Sequence, residues 1–299
     1  MNQLKSILVG VDFSECSRSA LIQALRMARW SNAKLQVLHT LEYLRINDAA
    51  WASHIPHEKL EADAVAEARM ALHQCLVKAG APKEVDVLVD VGSPIDCILR
   101  RVRENAVDLL VLGVSGDSMI PMGAGTLATK CLRKSPAKVM LVHEGHTERF
   151  ARIIAAVDFS EGSRDAIRQA LHVARQDNAH VHFVHVFSGS WGRSGLIPDA
   201  WEVSEETAAQ YRQAIEGRLR EFVGDVSGCQ ARFVVVEAGS HGHGIAEYAR
   251  RFRADLVVLG SKGRSNLAYV LLGSTVERLL REIPCSALVV RPAFAPPQT

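Results

Sequence analysis

Along the chain, short continuous apolar runs alternate with longer stretches in which apolar residues recur every three to four positions. In the first half the runs fall at 7–11, 35–38, 85–89, 108–112 and 138–142, and they are rich in Val, Ile and Leu. Runs of that length and composition predict strands buried on both faces, as in a parallel sheet. The stretches between them predict amphipathic helices. Ala20, Leu21, Ala24, Leu25 and Ala28 line one face of a helix capped by Ser14, and Ala166, Ile167, Ala170, Leu171 and Ala174 repeat the pattern after Ser160. Strand and helix alternate five times per half, so the expected class is α/β, with a five-stranded parallel sheet and helices on both faces in each half. Ligands of such folds bind outside the carboxyl ends of the strands, where strand order reverses.

The two halves are one unit written twice. Val11-Asp-Phe-Ser-Glu-Cys-Ser-Arg18 returns as Val157-Asp-Phe-Ser-Glu-Gly-Ser-Arg164, changed only at Cys16 and Gly162. Gly92-Ser93 returns as Gly239-Ser240, and Asp108-Leu-Leu-Val-Leu-Gly113 as Asp255-Leu-Val-Val-Leu-Gly260. The seam falls in the polar stretch His143–Arg149, which predicts two Rossmann-like domains, 1–146 and 147–299.

Composition narrows the function classes. A net charge of +2 over 299 residues gives no bias toward nucleic acid or an anionic membrane, and no apolar run approaches the length of a membrane span. The start of the chain carries no small-residue cleavage site, so the expected address is the cytoplasm. Six cysteines stand singly with no Cys-x-x-Cys pair, which predicts no zinc or dithiol site and reduced core residues for most of them, with a redox-sensing thiol as the alternative.

The glycines cluster where the topology places a ligand. Leu256-Val-Val-Leu259 ends at Gly260-Ser-Lys-Gly263-Arg264, and Gly273-Ser274-Thr275 follows after the nine residues 264–272, ahead of a helical stretch. In this G-x2-G-x9-G-S-T frame, glycines admit a phosphate chain close to the backbone and the free N–H groups of a helix start favour an anion. Ser274 and Thr275 add hydroxyls and Arg264 adds charge. A plain strand-to-helix turn would use the same glycines. Asp158, at the end of the first strand of the second half, can accept hydrogen bonds from ribose hydroxyls or serve as a turn acid.

Other signals carry less. Gly123-Ala-Gly125-Thr-Leu-Ala128 fits a dinucleotide fingerprint, but its strand ends near Gly113, so NAD binding is not expected. Strand alternation sets His180 and His182 on one face and His185 on the other. His241 and His243 read as residues of the loop Gly239–Gly244, either solvated or touching a ligand or metal, and no metal site is assigned. Neither a Gly-x-Ser-x-Gly elbow nor a G-x4-G-K-[ST] loop is present, so no catalytic residue is assigned. Lys262 alone, between the glycines, does not establish phosphoryl transfer.

On Val-Asp-Phe-Ser, on Leu-His39 and Val-His185-Val in the second strands, and on the glycine frame, both halves resemble the universal stress protein domain. The whole chain looks like a tandem member. The resemblance implies an adenine nucleotide, ATP with or without Mg2+, in the second half. Ala156, Asp158 and Val186 would line the adenine and ribose pocket, Leu259 would border the nucleotide, and Gly260, Gly263, Arg264, Gly273, Ser274 and Thr275 would hold the phosphates. It further implies a pseudo-dimer of the two halves, with Lys138–Val142 and Ala287–Val290 as pairing edges, and leaves a further homodimer open. The role implied is a nucleotide-dependent regulator of the stress response. Slow ATP hydrolysis or autophosphorylation on Ser274 or Thr275, and a nucleotide-free scaffold, are the alternatives.

The first half departs from the frame. It reads Gly113-Val-Ser-Gly116-Asp117, then Gly125-Thr126, with eight residues between Gly116 and Gly125. Asp117 stands where Arg264 stands, and Pro121 removes an N–H. A weak or empty ATP site is expected there, with the half acting mainly as structural partner and a different ligand left open. The second-strand exits, 41–60 with Trp51, His54, Pro56 and His57 and 187–203 with Trp201, differ between halves and flank the crevice, either carrying partner or ligand specificity or serving as surface connectors.

Overall fold

A computed structural model of the chain describes residues 4–82, 84–115, 124–188, 205–263 and 272–291. Two compact units are present, Met1–Glu148 and Arg149–Thr299. The first runs β1 (Ser6–Gly10), α1 (Glu15–Ser31), β2 (Lys34–Leu41), α2 (Tyr43–Ser53), α3 (His57–Lys78), β3 (Asp86–Val91), α4 (Pro94–Glu104), β4 (Leu109–Gly113), α5 (Thr126–Lys134) and β5 (Lys138–Val142). The second runs β6 (Arg152–Ala156), α6 (Glu161–Asp177), β7 (His180–Phe187), α7 (Glu205–Val223), β8 (Gln230–Glu237), α8 (His241–Phe252), β9 (Leu256–Gly260), α9 (Ser274–Glu282) and β10 (Ser286–Val290).

Within the first unit the strands lie in the order β3-β2-β1-β4-β5 and every pair is parallel, Val9 standing level with Val37 on one side and Val111 on the other. Within the second the order is β8-β7-β6-β9-β10, again parallel. Order therefore reverses beside β1 and beside β6, which opens a crevice at their carboxyl ends. Ile7, Leu8 and Val9, like Ile153, Ile154 and Ala155, are wholly buried. The two predicted apolar stripes, Ala20 to Ala28 and Ala166 to Ala174, are buried as well, and α1 packs on β1 and β4. Each buried leucine contributes roughly 1.5–3 kcal/mol.

Local signals set the helix ends. The hydroxyls of Ser14 and Ser160 accept from the N–H groups of Ser17 and Ser163, as N-caps do. Asn32 and Asn178, in the left-handed region at φ 54° and 55°, close α1 and α6. The polar seam is tied to the first unit, since Gln23 Nε2 donates to the carbonyls of His146 and Glu148.

Residues 41–60, expected as an irregular connector, are mostly helical, forming α2 and the start of α3. No apolar stripe announced α2, because Ile46 is its one buried residue while Leu44 and Trp51 face water. Of the other exit, 187–203, residues 189–203 with Trp201 lie outside the described residues. All six cysteines are free thiols and four are buried. Burial pushes the Cys131 and Cys285 thiols up to about 12, which suits core residues and not reactive thiolates.

Candidate functional site

The turn after β6 is built from its own side chains. Phe159 takes a left-handed conformation at φ 65°, which for a non-glycine residue costs on the order of 1–3 kcal/mol. A closed set of hydrogen bonds holds it there. Asp158 Oδ1 accepts from the Ser160 N–H at 3.0 Å, from the Ser160 hydroxyl at 2.5 Å and from the Ser163 hydroxyl. The Ser163 oxygen in turn accepts from the Asp158 N–H at 3.0 Å. From β7, His185 Nδ1 sits 2.7 Å from the Val157 carbonyl, and its ring packs 4.6 Å from that of Phe159. A carbonyl only accepts, so Nδ1 is the protonated nitrogen. Sequence reading had placed His185 in the family pattern without assigning it this bracing role.

The end of β9 faces this turn. A Cβ on Gly260 would lie 2.9 Å from the Gly162 carbonyl carbon and 3.0 Å from its oxygen, so strand and helix meet there backbone to backbone. Gly273 is different: among the described residues the atom nearest to a Cβ there would be Ser261 O at 3.5 Å, an ordinary contact. It forms the N-cap of α9 with no side-chain cap hydrogen bond, and the helix dipole favours an anion at that end.

These elements enclose a cavity of about 420 Å3. Ala156, Asp158, Val186, Leu259, Gly260, Gly263, Gly273, Ser274 and Thr275 all line it; Arg264, the last of the predicted set, lies outside the described residues. Val184 and Ile245 extend the apolar wall, while Ser163, Lys262 and His241 add polar groups that had not been assigned to the pocket. His241 and His243 do not lie in a loop but form the first turn of α8. The two diverge, since His243 Nδ1 is 2.9 Å from Glu282, whose carboxyl it holds below the usual range. Among the described residues no group of three His, Cys, Asp or Glu is arranged to hold a metal ion, and no helix is long and apolar enough to cross a membrane.

In the first unit Gly125 caps α5 well after the end of β4, which removes the dinucleotide reading. Gly116, Asp117, Pro121 and Gly123 lie outside the described residues.

The close approach of Gly260 has a mutational consequence. Gly260→Asp is expected to destabilise the fold whether or not a ligand binds, by roughly 1–3 kcal/mol of overpacking or more. Thermal denaturation of the variant reads this directly, as a fall in Tm of about 5 °C or more. An unchanged Tm would contradict it.

Duplicated α/β units, each with strand order reversing beside its first strand and the second with a cavity at that reversal, define a tandem, doubly wound protein. The universal stress protein family model matches residues 3–143 and 149–291, and the chain belongs to that family. It is similar to the universal stress protein E homolog of Haemophilus influenzae, at 24% identity over 97% of this chain and 98% of the relative. The crystal structure of a universal stress protein from Archaeoglobus fulgidus superposes with a TM-score of 0.66, at 19% identity over 97% of this chain and 99% of that one. A shorter universal stress protein, solved in complex with cAMP, is 22% identical over 48% of this chain and 98% of its own, with a TM-score of 0.36.

Proposed function

We propose that the second unit binds ATP and that the chain acts as a nucleotide-dependent switch in the stress response, working in the cytoplasm. One observation carries the reading: the turn acid Asp158, the apolar wall of Ala156, Val186 and Leu259, and the start of α9 all line one cavity. Its apolar part suits a base, Asp158 suits ribose hydroxyls, and Lys262 with Ser274, Thr275 and the N–H groups that open α9 suits a phosphate chain. Mg2+ would come with the nucleotide. In this reading 147–299 is the nucleotide domain and 1–146 its Rossmann-like partner, paired with it as a pseudo-dimer.

The test is to purify the chain without added nucleotide, denature it and quantify the adenine nucleotides released. About one ATP or ADP per chain is expected on this single-site reading. No nucleotide, even after soaking with ATP, would favour a scaffold. Turnover at ordinary enzyme rates, roughly 1–10³ per second, would replace the switch with an enzyme.

A further inference from the structure

Helix α3 presents two faces. It packs on β2 and β3, burying Ala68, Leu72 and Leu76. About a third of the way round the helix, Ala62, Ala66, Met70, His73 and Val77 form a second row at helical spacing, and all five are exposed, Met70 at 61% and Val77 at 79%. The second unit serves as an internal control. Its α7 stands in the place of α3, with Ile215 and Leu219 buried where Ala68 and Leu72 are buried. At the five outer positions, however, α7 and the turn after it carry Ala209, Gln213, Gly217, Arg220 and Gly224. The buried face is kept and the outer row is not, so the fold of a unit does not require the row. Mostly apolar surface about 22 Å long, left in water, marks a contact site.

The row is complementary to itself. Laid antiparallel against a second copy, about a two-fold axis beside Met70, α3 sets Ala62 against Val77 and Ala66 against His73. Small residues of one helix thus receive larger ones of the other, and each Met70 meets its counterpart. The charges agree in the same register. Asp63, Glu67, Gln74 and Lys78 are exposed along one edge of the row, and the same axis brings Asp63 opposite Lys78 and Glu67 opposite Gln74, each contact made twice by symmetry. A parallel pair would instead set Asp63 on Asp63 and Lys78 on Lys78. In the second unit the places of Asp63 and Lys78 are held by Gln210 and Asp225, which carry no opposite charges.

We infer that the outer face of α3 is the contact surface of a homodimer, in which two copies of the chain pair antiparallel through this helix with Met70 at the axis. The inference does not depend on the nucleotide reading, since no residue of α3 lines the cavity of the second unit. A single helix pair makes a small interface, so the dimer exchanges with monomer and grows with protein concentration.

The test is sedimentation equilibrium of the full chain over a range of concentrations without nucleotide, which should show monomer and dimer in exchange. Met70→Glu sets two carboxylates at the axis and should weaken the dimer by about a hundredfold. Gly217→Glu, the same charge at the matching place on α7, where a Cβ meets no described atom within 4 Å, should leave it unchanged. Asp63→Lys should weaken the dimer by about tenfold, and Asp63→Lys combined with Lys78→Asp should restore it, a rescue that only pairing across the axis provides. All of these positions are exposed, so helix content by circular dichroism should hold in every variant. A monomer at every concentration would overturn the inference. So would a dimer that Met70→Glu leaves intact, which would place the contact elsewhere, or one that Gly217→Glu weakens as much. Failure of the double charge exchange to restore pairing would overturn the antiparallel register.

Discussion

Gly273→Asp is expected to lower ATP affinity by about a hundredfold while leaving the fold intact. Two physical arguments point in opposite directions for fold and for ligand. Among the described residues a Cβ at 273 meets nothing closer than 3.5 Å, and the backbone there, φ −70° and ψ 147°, suits any residue. Aspartate is among the preferred N-cap residues, so α9 gains a side-chain cap it lacks, worth about a few tenths of a kcal/mol over glycine. That same carboxylate takes the N–H groups a phosphate would use and sets a negative charge beside it. At about 5 Å and an effective dielectric of 20, one such pair costs roughly 3 kcal/mol, or about two decades in affinity. Titration calorimetry with ATP, paired with thermal denaturation, separates the two effects. Retained ATP affinity would show that α9 does not seat the phosphates. A large fall in Tm would show that Gly273, like Gly260, is there for packing.

The contrast between those two glycines marks how far sequence reading reaches. Both belong to one frame, and nothing along the chain distinguishes them, because the partner of Gly260 is Gly162, about a hundred residues away and met only after folding. Strand positions were legible because runs buried on both faces need no partner to be recognised. Helix α8 was not, since Gly242 and Gly244 in its first turn weaken any helical signal. The structure supplies their reason: a Cβ on Gly242 would lie 2.8 Å from Thr275 O, and one on Gly244 2.9 Å from Val186 Cγ1. Those glycines seat α8 against α9 and β7, and so bring His241 and Ile245 to the cavity. The α2 helix was missed for the converse reason, its outward-facing apolar residues forming no stripe.

Helix α8 also makes the second unit sensitive to acid. His182 of β7 is buried beneath it, with Nδ1 2.8 Å from the Tyr248 hydroxyl and its ring stacked 3.7 Å from that of Phe252. Burial first, then the charges of Arg232 and His180, depress its pKa to about 4 from an ordinary value of 6.5. The folded state thus resists a proton that the unfolded chain accepts. Above pH 6.5 both states are neutral at this residue and stability is full. As pH falls from 6.5 toward 4 the unfolded state is protonated first and stability is lost; below about 4 the loss levels off. Urea denaturation at pH 7, 5.5 and 4 should trace that fall, and His182→Phe, which keeps a ring against Phe252, should flatten it. Parallel losses in wild type and variant would assign the acid sensitivity elsewhere.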